Sequence, residues 1–154
     1  MLAGAELSII GAGNISASTI NNLLTVDGTF DVSAMNAGTI DAKRLVGTAG
    51  GHVNLGAKDF VIAAAQAGDD FAGIIDGSGR LELKGGTQVL SGSNSYTGTT
   101  TISGGTLIVN GNQTGATGTT TVRTNAALGG GVSSAVMYSS KMRVGSSFRT
   151  TAVA

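Results

Sequence analysis

The sequence of 154 residues contains no cysteine, no proline and no tryptophan, and aromatic residues make up only 4% of it. The absence of cysteine excludes disulfides, thiolate metal sites and cysteine nucleophiles. Charged residues account for 12%, and nine basic residues balance nine acidic ones, so the formal net charge is zero. A neutral chain lacks the basic face that nucleic-acid binding requires. No run of about 18 apolar residues occurs, so we expect no membrane-spanning helix.

Glycine is abundant instead, with 26 residues, and 41% of the chain is hydrophobic. This hydrophobicity and the neutral charge favour a folded chain over a disordered one. The length fits one domain or a piece of one. The first ten residues, MLAGAELSII, lack the basic and long apolar regions of a signal peptide. An exported protein with this sequence would therefore need a signal that is absent here.

The sequence repeats at a fixed spacing. The residues GTTTI at 98–102 recur as GTTTV at 118–122, which is 20 residues later. Thr-Ile occurs at 19–20 and again at 39–40, also 20 residues apart. A fixed period in this range indicates a solenoid, in which each coil buries its apolar face against the next.

Short runs of threonine, isoleucine and valine alternate with glycine, asparagine and aspartate. Branched side chains favour pleated strands, and glycine supplies the tight corners. The segment 59–67 contains three consecutive alanines that favour helix, but we predict strand there. The predicted strands are Leu7–Ile10, Asn14–Ile20, Leu23–Val26, Thr29–Val32, Thr39–Lys43, Val53–Leu55, Asp59–Ala67, Phe71–Ile75, Leu81–Leu83, Thr99–Ile102 and Thr106–Val109.

Two adjacent segments carry a family resemblance. The run LSGSNSYTGTTTISGGTLIVNG at 90–111 resembles the passenger-associated repeat of bacterial autotransporters. The run DDFAGIIDGSGRLELKGG at 69–86 resembles the segment that usually precedes that repeat. The residues that carry the repeat motif are Phe71, Gly73, Ile75, Gly77, Gly79, Leu81, Leu90, Gly92, Asn94, Tyr96, Gly98, Thr100, Ile102, Gly105, Leu107, Val109, Gly111, Val122 and Leu128.

The resemblance implies an all-β fold, a partial right-handed single-stranded parallel β-helix. We expect residues 1–131 to form a passenger fragment of about six coils at this spacing. Residues 132–154 form an atypical basic tail, either one strand or frayed. The resemblance further implies a fragment without the translocator barrel that exports such passengers.

The implied function is the structural stem of a secreted passenger displayed on the Gram-negative outer membrane, with an adhesin-like role. Host or bacterial cell-surface molecules are the expected partners, and no cofactor is expected. Neither end of the sequence resembles a polar cap, and no proline blocks a strand edge. We therefore also expect end-to-end self-association of the chain.

The competing class is a β-helical carbohydrate-active enzyme, either a polysaccharide lyase or a hydrolase. Paired carboxylates serve glycoside hydrolysis or bind Ca²⁺, and Asp69, Asp70 and Asp76 are the candidates. A solvated corner is the simpler interpretation of Asp69 and Asp70. His52, the only histidine, follows two glycines and is predicted to lie at an exposed corner. No nucleophile motif accompanies it, so we predict no enzyme activity.

Tyr96 has two interpretations. A tyrosine in a repeat of this kind either stacks against a carbohydrate or packs over a corner of the coil. We favour packing over a corner, because a content of 4% aromatic residues provides no aromatic platform for a sugar.

Overall fold

The structure is a computed structural model that describes residues 7–8, 19–130 and 142–144. All regular secondary structure in these residues is β, and no helix among them could cross a membrane. The strands are β1 (Leu7–Ser8), β2 (Thr19–Thr25), β3 (Thr29–Asp31), β4 (Thr39–Val46), β5 (His52–Asn54), β6 (Asp59–Ile62), β7 (Asp69–Phe71), β8 (Ile74–Asp76), β9 (Leu81–Leu83), β10 (Thr87–Leu90), β11 (Thr100–Ile102), β12 (Gly105–Val109), β13 (Thr120–Val122), β14 (Ala126–Gly130) and β15 (Met142–Val144).

The strands form three parallel sheets. Sheet A contains β1, β3, β5 and β8, and sheet C contains β7, β10, β12 and β14. Sheet B, the longest, runs from β2 through β4, β6, β9, β11 and β13 to β15. The chain passes from sheet B to C to A and back, as in β6, β7, β8 and β9. The predicted parallel β-helix is therefore confirmed, and the six strands from β2 to β13 bracket about five turns, against six predicted coils.

The register between turns confirms one predicted repeat and corrects the other. Thr100 pairs with Thr120, so the two GTTT segments stack directly with a 20-residue period. Ile20, by contrast, pairs with Ala42 and not with Ile40. The predicted 20-residue spacing is wrong there because this turn contains 22 residues, with an irregularity between Ile20 and Leu23. A shift of two residues keeps the same side chains facing inward.

Alternating side chains build the core. In sheet B, Phe60 and Ile62 are fully buried, and Leu81 and Leu83 stack on them in the next turn. Arg80 and Lys84 point outward and are exposed, as the alternation predicted. Burying one such side chain contributes about 1.5–3 kcal/mol. A column of aliphatic and aromatic residues along each sheet therefore holds successive turns together.

Two predicted strands are shorter than expected. The segment predicted as Phe71–Ile75 is divided, because β7 ends at Phe71 and β8 begins at Ile74. The chain turns at Gly73, where a Cβ atom would lie only 2.2 Å from the Gly51 carbonyl oxygen. The strand predicted to reach Ala67 ends at Ile62, and the alanines that follow it form neither strand nor helix. Most of the predicted strand Asn14–Ile20 lies outside the described residues.

Glycines form columns at the corners between sheets. One column consists of Gly79, Gly98 and Gly118. A Cβ atom on Gly98 would lie 2.0 Å from the Gly79 carbonyl oxygen, and one on Gly118 would lie 1.8 Å from that of Gly98. Backbones of successive turns are therefore in direct contact at this corner. A second column, of Gly73, Gly92 and Gly111, has the same close contacts.

Candidate functional site

The loop 91–99 takes over one side of the solenoid where sheet A ends. Within the described residues β8 is the last strand of sheet A, and the loop occupies this side in the next turn. Its backbone continues the hydrogen bonding, because Ser95 donates to the Ile75 carbonyl over 2.9 Å. Thr97 likewise donates to the carbonyl of Gly77 over 2.8 Å. The repeat motif thus replaces a strand with an irregular segment that still covers the preceding turn.

Asn94 completes this cover with its side chain. Its Oδ1 accepts a hydrogen bond of 2.8 Å from the backbone N–H of Ile75. Asn94 is only 2% exposed, so this N–H has no access to solvent through the loop. The amide side chain therefore takes the place of the carbonyl that a neighbouring strand would supply.

Tyr96 lies in the same loop and is buried. Its hydroxyl is 2.7 Å from Thr100 Oγ1, and the residue is 2% exposed. Burial raises the pKa of the phenol to about 12, against the opposing effect of the Thr100 hydrogen bond. The ring offers no open face to a sugar, so the packing interpretation is correct. Tyr96 also explains why threonine occupies the inward position 100, where sheet B otherwise carries aliphatic residues.

The other motif residues are structural in the same sense. The apolar ones are buried in the core, and the glycines occupy the corners or the turns beside them. The buried set is Phe71, Ile75, Leu81, Leu90, Ile102, Leu107, Val109, Val122 and Leu128. Gly77 and Gly105 adopt φ values of 110° and 75°, which L-residues rarely adopt.

Asp69 is buried and not at a solvated corner, which corrects the simpler interpretation of this residue. It lies in β7 with 1% exposure and forms a bidentate ion pair with Arg44 of β4. Arg44 Nε is 2.9 Å from Asp69 Oδ2, and the Gln66 backbone N–H donates to the same oxygen over 2.8 Å. The hydrogen bonds from Arg44 are the main reason that the pKa of Asp69 is lowered.

The remaining candidate residues do not converge on one site. Asp70 accepts hydrogen bonds of 2.7 and 2.8 Å from the Ser91 hydroxyl, on the opposite face of β7 from Asp69. Asp76 lies in sheet A, where its Oδ2 is 2.9 Å from His52 Nε2. His52 begins β5 and is therefore not at a corner, although its side chain is 39% exposed. The described residues contain no group of three acidic, histidine or cysteine side chains placed to hold a metal ion.

Gln88 is a buried polar residue that the sequence analysis missed. It is fully buried on β10, in register with Asp69 and Leu107. Its Nε2 donates to the carbonyls of Leu45 and Val89 over 3.1 and 2.8 Å. A position that holds leucine in the following turn gave no signal that a glutamine there would be internal.

Replacing Asn94 by alanine is expected to reduce the free energy of unfolding by about 1–3 kcal/mol, because the buried Ile75 N–H then has no acceptor. Urea denaturation followed by circular dichroism would measure the loss. Asn112→Ala is the matched control, since Asn112 is exposed and its Oδ1 accepts from the Thr114 N–H two residues away. Equal losses for the two variants would contradict the role assigned to Asn94.

The geometry of this loop coincides with a known repeat. Residues 85–109 match the family model of the passenger-associated-transport-repeat. The matched segment spans β10, the loop with Asn94 and Tyr96, β11 and β12, and Thr87 pairs with Thr106 one turn later. It therefore covers slightly more than one turn of the solenoid. The chain carries autotransporter passenger sequence.

A curated relative supports this assignment. Over 100 residues, or 64% of this chain, the passenger sequence is 36% identical to the adhesin BmaC autotransporter of Brucella suis biovar 1 (strain 1330). The chain spans about 3% of the length of that relative. No solved structure matches the chain. The resemblance drawn from residues 69–86 and 90–111 is confirmed.

Proposed function

We propose that this passenger segment is a stem within a surface-displayed adhesin. The observation that carries the proposal is a passenger repeat forming one turn of a continuous parallel stack. Each turn contacts only its neighbours, so a solenoid extends in one dimension as turns are added. Such a stack suits a part that holds other regions away from the cell surface.

The internal packing supports a rigid stem. Backbone hydrogen bonds join successive turns in all three sheets, and the corner glycines bring backbones into direct contact. Protein interiors packed in this way are not readily compressed or bent. The long side of the solenoid, sheet B, extends over seven strands among the described residues.

Adhesion comes from the printed name of the relative, and it applies here as part of the proposal because so little of that protein is covered. We propose cell-surface molecules of a host or of neighbouring bacteria as the partners. The enzyme alternative has less support, since Asp69, Asp70 and Asp76 each have a separate partner. End-to-end self-association stays a prediction.

We also propose that residues 1–131 form the passenger part and that the tail beyond them adds a strand. Met142–Val144, within the predicted tail, pairs with β13 in register Thr120 to Met142. This pairing supports the strand interpretation of the tail over the frayed one.

Attachment of coated beads to cells would test the adhesive role. Beads carrying the folded 154-residue chain are expected to attach several-fold more often than uncoated beads. The matched control is the same chain with Gly98→Ala, which disrupts the stack without changing charge. Equal attachment of the two coatings would show that the solenoid contributes nothing to adhesion, and no attachment by either would contradict an adhesive role for this segment.

A further inference from the structure

The outer face of sheet B carries a groove that a purely structural stem does not need. Its volume is about 200 Å³, and it lies across β6 and β9 with Thr39 and Thr101 at its margins. Val61 forms part of the groove wall. This residue points outward between the inward Phe60 and Ile62, yet it is only 4% exposed. A small aliphatic surface therefore lies at the bottom of a polar face.

Two ion pairs border this apolar floor. Arg80 binds Asp59, with 3.0 Å between Nε and Oδ2. Lys84 Nζ is 3.9 Å from Asp41 Oδ1. The side chains of Arg80 and Lys84 are 64% and 51% exposed, so both cations remain accessible. Arginine has five N–H donors, and Asp59 engages only Nε and Nη2 of this one.

The charges in the groove cancel. Asp59 and Glu82 are acidic, while Arg80 and Lys84 are basic, so the four lining residues have no formal net charge. Glu82 is held in place by the hydroxyl of Ser103. Hydrogen-bond donors and acceptors alternate around an aliphatic floor, without the cationic excess that a phosphate or carboxylate ligand needs.

The size of the groove restricts the ligand further. Pockets that enclose drug-sized molecules are roughly 300–1,000 Å³, so this groove has room for one small ring and not for a folded peptide. Aliphatic carbon on one side and alternating donors and acceptors around it match a neutral sugar. From these observations we infer that the groove binds a single neutral hexose unit of a cell-surface glycan, which rests on the proposed adhesive function.

In the bound state, the C–H face of the sugar ring packs over Val61. The Asp59 carboxylate accepts from sugar hydroxyls, and Arg80 and Lys84 donate to sugar oxygens. The Thr39 and Thr101 hydroxyls, at the margins, do either. Exposed ion pairs contribute little to stability, so the Asp59–Arg80 pair can exchange part of its geometry for ligand contacts at small cost.

A plug in the groove would test the inference. The full chain would be applied to immobilised neutral oligosaccharides of glucose, galactose and mannose, with sialylated and uronate-containing oligosaccharides as acidic comparators. Thr101→Trp places a large ring at the margin of the groove. Thr121→Trp is the matched control, because Thr121 is the register partner of Thr101 one turn away and does not line the groove. Strands tolerate an aromatic residue at such outward positions.

Binding to at least one neutral oligosaccharide is expected, weakened at least ten-fold by Thr101→Trp and less than two-fold by Thr121→Trp. Lys84→Ala should also weaken it several-fold, whereas Lys43→Ala, an exposed lysine outside the groove, should not. Preference for the acidic oligosaccharides, equal effects of the two tryptophan variants, or no binding would overturn the inference. Attachment of coated beads to cells without binding to any neutral oligosaccharide would reject the groove and leave the adhesive function standing.

Discussion

The variant Gly98→Ala is expected to lose about 3 kcal/mol or more of the free energy of unfolding, which is severe for an added methyl group. The new Cβ atom would lie 2.0 Å from the carbonyl oxygen of Gly79 and 2.4 Å from its carbonyl carbon. Both contacts are with backbone, so no flexible side chain can move aside. The two turns must separate at this corner, which strains the hydrogen bonds of β9 to β11.

Gly38→Ala is the matched control for this prediction. A Cβ atom on Gly38 would meet no atom within 4 Å, and its φ is outside the left-handed range. Alanine there should change stability by less than about 0.5 kcal/mol, or raise it slightly by restricting the unfolded chain. Urea denaturation of both variants gives the comparison. Similar midpoints would mean that the turns are not in contact at the glycine column.

Arg44→Met is expected to cost about 3–5 kcal/mol, because it leaves the Asp69 carboxylate buried without its cation. The methionine keeps much of the aliphatic packing of the arginine stem. Arg80→Met removes the same kind of partner from Asp59 but at a site where the arginine is 64% exposed. It should cost no more than about 1 kcal/mol.

Acidification separates this effect from lost packing. The pKa of Asp69 is lowered from 3.8 in the folded chain, so the ion pair stabilises the fold at neutral pH. That contribution is lost as the pH falls through the folded pKa, where the carboxyl is protonated. The difference in stability between wild type and Arg44→Met should therefore shrink well below pH 4. A difference that stays constant down to pH 2 would assign the loss to packing alone.

The parallel solenoid could be predicted because repetition is visible in the sequence. Thr100 and Thr120 stack because their segments are nearly identical, and Leu81–Leu83 shows its inward face by simple alternation. The 22-residue turn could not be placed, since an irregularity after Ile20 changes the register without changing the residue pattern. Ile40 therefore attracted a pairing that Ala42 makes.

The buried polar residues could not be predicted for a different reason. Asp69 and Asp70 are neighbours of the same type, yet one is buried against Arg44 and the other is half-buried beside Ser91. Which one turns inward depends on the register between β4 and β7, 25 residues apart at Arg44 and Asp69. Asn94 was recognisable as a motif residue, but its hydrogen bond to Ile75 requires knowing that sheet A ends one turn earlier.

The direction of the backbone hydrogen bonds determines how a stem of this kind would respond to a pulling force. In the stacked parallel sheets these bonds run along the solenoid axis, so a load on that axis opens them one turn at a time and does not shear a whole sheet. A folded turn contributes about 4.8 Å of length, whereas its roughly 20 residues extend to about 65–70 Å. Each released turn would therefore lengthen the tether more than ten-fold. A cell held by such a stem could absorb a sudden tug by losing one terminal turn, while the remaining turns keep their contacts.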